Sequence, residues 1–398
     1  MEINTDPKKI EEVLSRNVDQ VLPQKAKLKG LMQKRRIRLY LGVDPTGSKL
    51  HLGHTITLRK LQSFADLGHE AILVVGTGTV LAGDPSQREE ARDRITEKEI
   101  KENIKTWKKQ TSRILDFSKV KIKYNGDWLL KLGLREIIDI ASNISATRLF
   151  QRDMFQKRMG KGDTVWMHEI LYPILQGYDS VAMNVDLEIG GTDQVFNMLI
   201  GRELQQKIRN KEKFVLTCPM ILGVDGKTMS KSSGNCIWIE DRAGEMFGKI
   251  MSIPDNLIIP YFELLTDVSL KIIQSYKQGL KSRKTNPRDL KEKLAFEVVK
   301  LYHSVKEAKK AEGEFAKVFQ KKELPSVVPG AKIGREKMNI LDLLVKLKMA
   351  SSKSEAKRLI LQKGVRIEGE TQTEWQKIVK IKKGLIVQVG KRKFVKLL

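Results

Sequence analysis

The sequence predicts an α/β protein: a doubly wound parallel sheet, followed by an α-helical domain and a small α+β domain. Three observations carry this expectation. Between Ile37 and Ile189, β-rich apolar runs alternate with helix-length segments, the rhythm of parallel strands joined by crossover helices. From about Arg242 to Phe319 the pattern turns helical, with short loops at Ser252-Ile253-Pro254 and Lys284-Thr285-Asn286-Pro287. Beyond the Pro- and Gly-bearing stretch Leu324 to Gly330, two short helical patterns precede short β-rich pieces.

Taken in order, Ile37 to Val43 reads as a strand that ends in the turn Asp44-Pro45-Thr46-Gly47. Leu50, Leu52, Ile56, Leu58, Leu61 and Phe64 then fall on a helical repeat. A second strand, Ala71 to Val75, leads through Gly83-Asp84-Pro85 into a charged helix from about Glu89 to Phe117. Val120 to Tyr124 and Asp186 to Ile189 are further strands, with helices between Leu134 and Arg158. In the tail, Ile340 to Leu347 and Ser352 to Gln362 read as helices, and Val365-Arg366-Ile367 and Leu385-Ile386-Val387 as β pieces. The expected domains are 1–240 (α/β, with an N-terminal helical extension), 241–322 (helical), a linker at 323–337, and 338–398.

With 398 residues, 40% apolar and 31% charged, the composition is that of a folded protein with a sizeable core. The formal net charge of +26 favours polyanionic partners, although part of it merely solvates the surface. Residues 338–398 hold 15 Lys and Arg against 5 Asp and Glu, so the tail is over three times as basic per residue as the rest. Cys218 and Cys236 lack metal-ligand spacing and read as reduced thiols of a cytoplasmic protein. No apolar run is long enough to span a membrane, and the charged N-terminus reads as a helix and not a signal peptide.

Two segments point to phosphate chemistry. His51-Leu52-Gly53-His54 stands where the first crossover helix begins, and a helix start offers unused N–H groups and the positive end of the dipole. Gly53 lets a flat ring approach the backbone, and imidazoles donate to phosphoryl oxygens. A His metal-ligand pair and two ordinary polar residues at a helix start are the competing readings; no Cys, Asp or Glu stands at ligand spacing nearby. Thr228-Met229-Ser230-Lys231-Ser232 lies between the turn Gly223-Val224-Asp225-Gly226 and Ser233-Gly234-Asn235, as a loop able to close over a ligand would. Arg88 and Arg92, four apart after Gly83-Asp84-Pro85-Ser86, can add positive charge or can pair with Glu89, Glu90 and Asp93 on a solvated helix.

Order, separation and context of these segments resemble the two nucleotide signatures of class I aminoacyl-tRNA synthetases, usually written HIGH and KMSKS. The resemblance implies a Rossmann-like catalytic domain that uses ATP as co-substrate, with Mg2+ accompanying it and no protein-bound metal. It implies that His51, His54 and Thr46 contact the phosphates, with Lys231 as the second lysine of the loop. Gly42, Asp44, Gly53, Gly191, Asp193, Met229, Ser230 and Ser232 fall at the family's ATP-contacting positions. Thr228 departs from the pattern by replacing the first lysine, and Lys227 stands one residue earlier. Such chemistry needs no general base: a carboxylate is already an anion, so alignment and neutralisation of the departing pyrophosphate suffice.

Tyr172, Gln176 and Asp179 are spaced to share one helix face, and Gly190-Gly191-Thr192-Asp193-Gln194 follows at a strand-to-helix turn, where α/β folds collect ligands. This set resembles the tyrosyl branch of the bacterial enzymes. The likeness implies that Tyr40 and Asp179 hold the substrate hydroxyl and that Tyr172, Gln176 and Asp84 hold its ammonium group. It puts Gln194 in the carboxylate region, Asp193 near the ribose, and Asn125 in support. Phenylalanine would leave the buried hydroxyl-binding groups without a partner, a rejection for which tyrosyl enzymes are themselves the standard illustration. The tryptophanyl branch shares fold and nucleotide motifs but has no phenol to hold.

The tail resembles the small RNA-binding module that bacterial tyrosyl enzymes share with a ribosomal small-subunit protein. Lys353, Lys357, Arg358, Lys363 and Arg366 carry that likeness and suit phosphate backbones. The partners implied are tRNA(Tyr), L-tyrosine, ATP and a second copy of the chain, one tRNA spanning both subunits. The competing reading from another class is a non-catalytic RNA-binding protein that retains the fold.

Overall fold

The computed structural model describes residues 2–86, 96–229, 233–319, 329–334, 336–390 and 393–398. The chain parts into two compact units, Met1–Ala308 and Lys309–Leu398. At the centre of the first is a six-stranded sheet of β1 (Gln20–Leu22), β2 (Arg38–Val43), β3 (Glu70–Val75), β4 (Val120–Tyr124), β5 (Leu187–Gly191) and β6 (Phe214–Cys218), in the order β1-β6-β5-β2-β3-β4. All pairings are parallel except β1 with β6, which is antiparallel. Strand order therefore reverses between β2 and β5, and the crevice at such a switch point is where open α/β sheets bind ligands.

The sheet is covered by helices on apolar and close-packed faces. Tyr40, Ile72, Val74, Met183 and Val185 form one core cluster under the middle strands. Gly177 of the helix Met167–Met183 lies against Gly201 of the helix Val195–Arg209, where an added Cβ would come within 3.0 Å of the Gly201 nitrogen. That approach holds the Tyr172, Gln176 and Asp179 face over the strand ends.

Helices from Ala243–Met251 to Pro287–Tyr302 belong to the same unit as the sheet, and the Tyr302 hydroxyl donates to Thr55 Oγ1 at 2.9 Å. Among the described residues no helix is long and apolar enough to cross a membrane.

Two expectations needed revision. The charged helix runs from Glu97, where Thr96 and Glu99 form a capping box, to Thr111, and beyond it Asp116 accepts from the Ser118 N–H and hydroxyl in a local turn; the expected stretch before residue 96 lies outside the described residues. β1 has only three residues and stands antiparallel at the sheet edge, so the sheet is not wholly parallel. Of the linker expected at 323–337, residues 323–328 and 335 lie outside the described residues, while Gly330–Ala331 is a strand paired parallel with Lys396 and Leu397, and Lys337 begins the strand Lys337–Asn339.

The second unit packs the helices Ile340–Lys346 and Lys353–Leu361 against a five-stranded sheet that includes Val365–Ile367, Ile386–Val389 and Lys393–Leu397. Its core gathers Ile340, Leu343, Leu344, Ala356, Ile360, Val365 and Val387, all fully buried. Lys353, Lys357, Arg358, Lys363 and Arg366 stand outside that core, exposed to solvent. Lys353 pairs with Asp342 at 2.7 Å, and Lys357 lies 4.1 Å from the centre of the Trp375 ring, a cation–π contact.

Candidate active site

A cavity of about 280 Å3 opens at the carboxyl ends of β2, β3 and β5, lined by Gly42, Val43, Val74, Ile189 and Gly190. Thr46 and His54 line it together with Tyr172, Gln176, Asp179 and Asn125, and with Asp44, Asp84 and Gln194.

His51 caps the helix Leu52–Asp66: its Nδ1 accepts the Gly53 N–H, and His54 Nδ1 accepts the His51 N–H, both at 3.2 Å. With Nδ1 accepting, each neutral ring carries its proton on Nε2, the edge able to donate onward. The two ring centres are 3.9 Å apart. Gly53 is required by this arrangement, since a Cβ there would meet the His51 ring at 2.9 Å.

The turn after β2 is tied down by one helix face. From Glu97–Thr111, Asn103 donates to Pro45 O at 2.8 Å, Trp107 to Gly47 O at 2.6 Å and Gln110 to Ser48 O at 2.7 Å. The chain after the lysine loop is tied to the same place: Leu52 N–H donates to Ile237 O at 2.9 Å, and Ile239 N–H to Leu50 O at 3.0 Å. The loop itself begins with an ordered turn, in which Asp225 accepts from the Lys227 N–H at 3.0 Å and Asn235 donates to Thr228 O at 3.0 Å. Lys227 is exposed and Met229 buried; Ser230, Lys231, Ser232, Arg88 and Arg92 lie outside the described residues.

The polar lining is a connected set of hydrogen bonds. Asp44 accepts from Thr79 at 2.7 Å and from the Tyr172 hydroxyl at 3.0 Å. Asn125 donates to Thr79 at 3.0 Å and to Asp179 Oδ2 at 3.1 Å, and Trp128 Nε1 donates to Asp179 Oδ1 at 2.8 Å. Burial pushes the Asp179 carboxyl up to about 8 against those two donors. Burial and the nearby Asp44 and Asp84 raise Tyr172, so it remains a phenol. Gln194 donates to Asp84 at 2.8 Å and to Asp193 at 3.1 Å, and Gly191 leaves room for the Asp193 side chain.

Tyr40 is not where the resemblance put it. Fully buried on the same sheet face as Gly42, it bonds through its hydroxyl to Ser180 Oγ at 3.0 Å, with Lys213 Nζ 5.9 Å over its ring, and it does not line the cavity. Sequence reasoning also missed Trp128, Glu188 and Lys213. Trp128 sits three residues after Asn125. Glu188, a charge in an otherwise apolar strand, was the visible sign of its buried partner Lys213.

A parallel sheet with a His-capped helix start at its switch point, and a lysine loop tied back to that helix, has the architecture of a class I aminoacyl-tRNA synthetase. The family described as tRNA synthetases class I (W and Y) matches residues 32–320, and the tyrosine–tRNA ligase SYY-like C-terminal domain matches 303–397. The chain is 45% identical to the tyrosine–tRNA ligase of Thermotoga maritima over 392 residues, 98% of each chain. It is 41% identical to that of Moorella thermoacetica, over 97% of this chain and 94% of the relative. Among solved structures, the tyrosyl-tRNA synthetase of Archaeoglobus fulgidus, complexed with L-tyrosine, shares the fold at a TM-score of 0.62 and 23% identity, covering 77% of this chain and all of that one. A mitochondrial enzyme from Aspergillus nidulans aligns at 0.66 and 22%, covering 79% and 94%. This chain belongs to the bacterial tyrosine–tRNA ligase family.

Proposed function

We propose that the chain joins L-tyrosine to ATP, forming tyrosyl-adenylate and pyrophosphate, and then transfers tyrosine to the 3′ end of tRNA(Tyr). The observation that carries this is one cavity lined both by Thr46 and by His54 of a helix start, and by Tyr172, Gln176 and Asp179 of a single helix. In the first step the tyrosine carboxylate oxygen bonds to the α-phosphorus as the bond to pyrophosphate breaks. His51, His54 and Thr46 meet the charge on the departing phosphates, joined by Lys231, Lys227 and, from residues 87–95, Arg88 and Arg92. Mg2+ enters with ATP, bound to its phosphates. In the second step a terminal ribose hydroxyl of the tRNA attacks the carbonyl carbon and AMP leaves.

Asp179 takes the substrate hydroxyl, Tyr172, Gln176 and Asp84 the ammonium group, and Gln194 the carboxylate region. Gly42, Asp44, Gly53, Gly191, Asp193, Met229, Ser230 and Ser232 serve the nucleotide. Residues 241–322 and the basic domain 338–398 face the tRNA, the latter through Lys353, Lys357, Arg358, Lys363 and Arg366. The protein works in the cytoplasm as a homodimer. Two buried, unbridged thiols support the compartment, Cys218 being pushed up to about 12 by burial and so inert.

The test compares the full chain with one ending at residue 337 in two assays. The full chain should show tyrosine-dependent ATP–pyrophosphate exchange and tRNA charging; the shortened chain should keep exchange and lose charging. Exchange with tryptophan instead, or none with either, would sink the proposal.

A further inference from the structure

At the wall of the cavity, through Glu188, stands an ion pair with no role in the chemistry above. Lys213 is 0% exposed and Glu188 1%, and they are in direct contact; Lys213 also donates to Ser180 Oγ at 2.7 Å. Glu188 stands opposite Tyr40 in the β2–β5 register, so its side chain shares the cavity face with Gly42, and it lines the cavity. Its second oxygen, Oε1, accepts from Gln176 Nε2 at 3.0 Å. Gln176 Oε1 is buried and has no hydrogen-bond partner among the described residues.

A carboxylate accepts and cannot donate, so the amide nitrogen of Gln176 must face Glu188 and its carbonyl oxygen must face away. A buried acceptor without a partner is costly to leave so, and a ligand that donates to it recovers that cost. We propose that Glu188, held by Lys213, is a positioning residue that fixes the amide orientation of Gln176 so that Oε1 receives the ammonium group of tyrosine. Were the amide reversed, its two N–H donors would point at a cation. The pair thus sets selectivity for the amino group without touching the substrate. Two buried charges are otherwise a poor choice beside an apolar core, which tolerates hydrophobic replacements well.

The inference rests on the tyrosine-activating function proposed above, and its test separates the two. If the unaltered chain shows no tyrosine-dependent exchange, that function fails and not this inference. The variant is E188Q with K213M, which removes both charges together and lets the residue 188 amide donate to Gln176. The KM for tyrosine in pyrophosphate exchange should rise about ten-fold or more, since hydrogen bonds to charged groups carry roughly that weight, with the KM for ATP unchanged. The discriminating readout is competitive inhibition by 3-(4-hydroxyphenyl)propanoate, which keeps phenol and carboxylate but has no ammonium group: its inhibition constant should stay within about two-fold. Should the double variant fail to fold, E188D keeps the pair with Lys213 but withdraws from Gln176, and the same pattern is expected. An unchanged tyrosine KM, or equal losses for tyrosine and the analogue, overturns the proposal.

Discussion

Trp128 donates its indole N–H to Asp179 Oδ1 at 2.8 Å, so the carboxyl assigned to the substrate phenol is already oriented before any substrate arrives. Asn125 holds the other oxygen at 3.1 Å, and Thr79 and Gly78 in turn hold Asn125. Pre-orientation of this kind lowers the cost of binding and makes the site intolerant of a ligand that leaves a buried polar group unmatched.

Asp179→Ala should therefore lower the preference for tyrosine over phenylalanine in pyrophosphate exchange, by about ten-fold or more if the lost contact has the usual weight of a hydrogen bond to a carboxyl. The substitution also leaves Trp128 Nε1 without its acceptor, which costs about 1–3 kcal/mol of stability, while Asn125 Nδ2 loses one acceptor and keeps Thr79. Unchanged selectivity would remove Asp179 from the phenol site. Reduced stability with unchanged selectivity would leave it a purely structural role.

The same carboxyl makes stability depend on pH in a definite direction. Burial raises Asp179 from an ordinary value of 3.8 to about 8, the bonds from Asn125 and Trp128 opposing the rise and Glu188 and Asp44 adding to it. Between those values the folded state binds the proton that the unfolded state has lost, so this group's contribution is full below pH 4 and is lost as pH climbs through 8. Asp179→Asn cannot titrate. From pH 5 to pH 8.5 the melting temperature of the unaltered chain should fall relative to the Asn variant by about 2 °C or more, the scale on which a kcal/mol moves a large domain. Parallel melting curves over that interval would show that Asp179 is ionised throughout.

Much of this was legible in the chain itself, because the informative features were local. A strand, turn and helix signal their order through apolar period and turn residues, and His51 and His54 are three apart at a helix start, so their shared position follows from sequence alone. Tyr172, Gln176 and Asp179 share a helix face for the same reason. What could not be read depended on contacts between distant segments. Tyr40 turns to Ser180, 140 residues away, and Glu188 meets Lys213 only because β5 and β6 are neighbours. The three-residue β1 carries too little pattern to be seen. Asn103, Trp107 and Gln110, which pin the turn holding Thr46, look like one polar stripe on a charged helix.

The surface between Leu130 and Met167 makes the last prediction. In the helix Leu134–Ala141, Leu134 is 75% exposed and Ile138 57%, four residues apart, with Ile137 also outward. Leu130, Trp166 and Met167 are exposed as well, Met167 by 68%. Single exposed apolar residues are ordinary, but a helix that turns its apolar stripe to water is not, unless something covers it. A second copy of the chain is the covering partner proposed above, since a self-complementary patch on one helix is how two-fold dimers are built. The unaltered protein should then sediment at twice its 45.4 kDa. Ile138→Asp, which puts a charge where apolar surfaces must meet, should reduce it to a monomer while retaining helix content. If one tRNA spans both subunits, that monomer should also lose charging more than it loses tyrosine binding. A wild-type monomer at micromolar concentration would refute the dimer, and a dimeric Ile138→Asp variant would move the interface elsewhere.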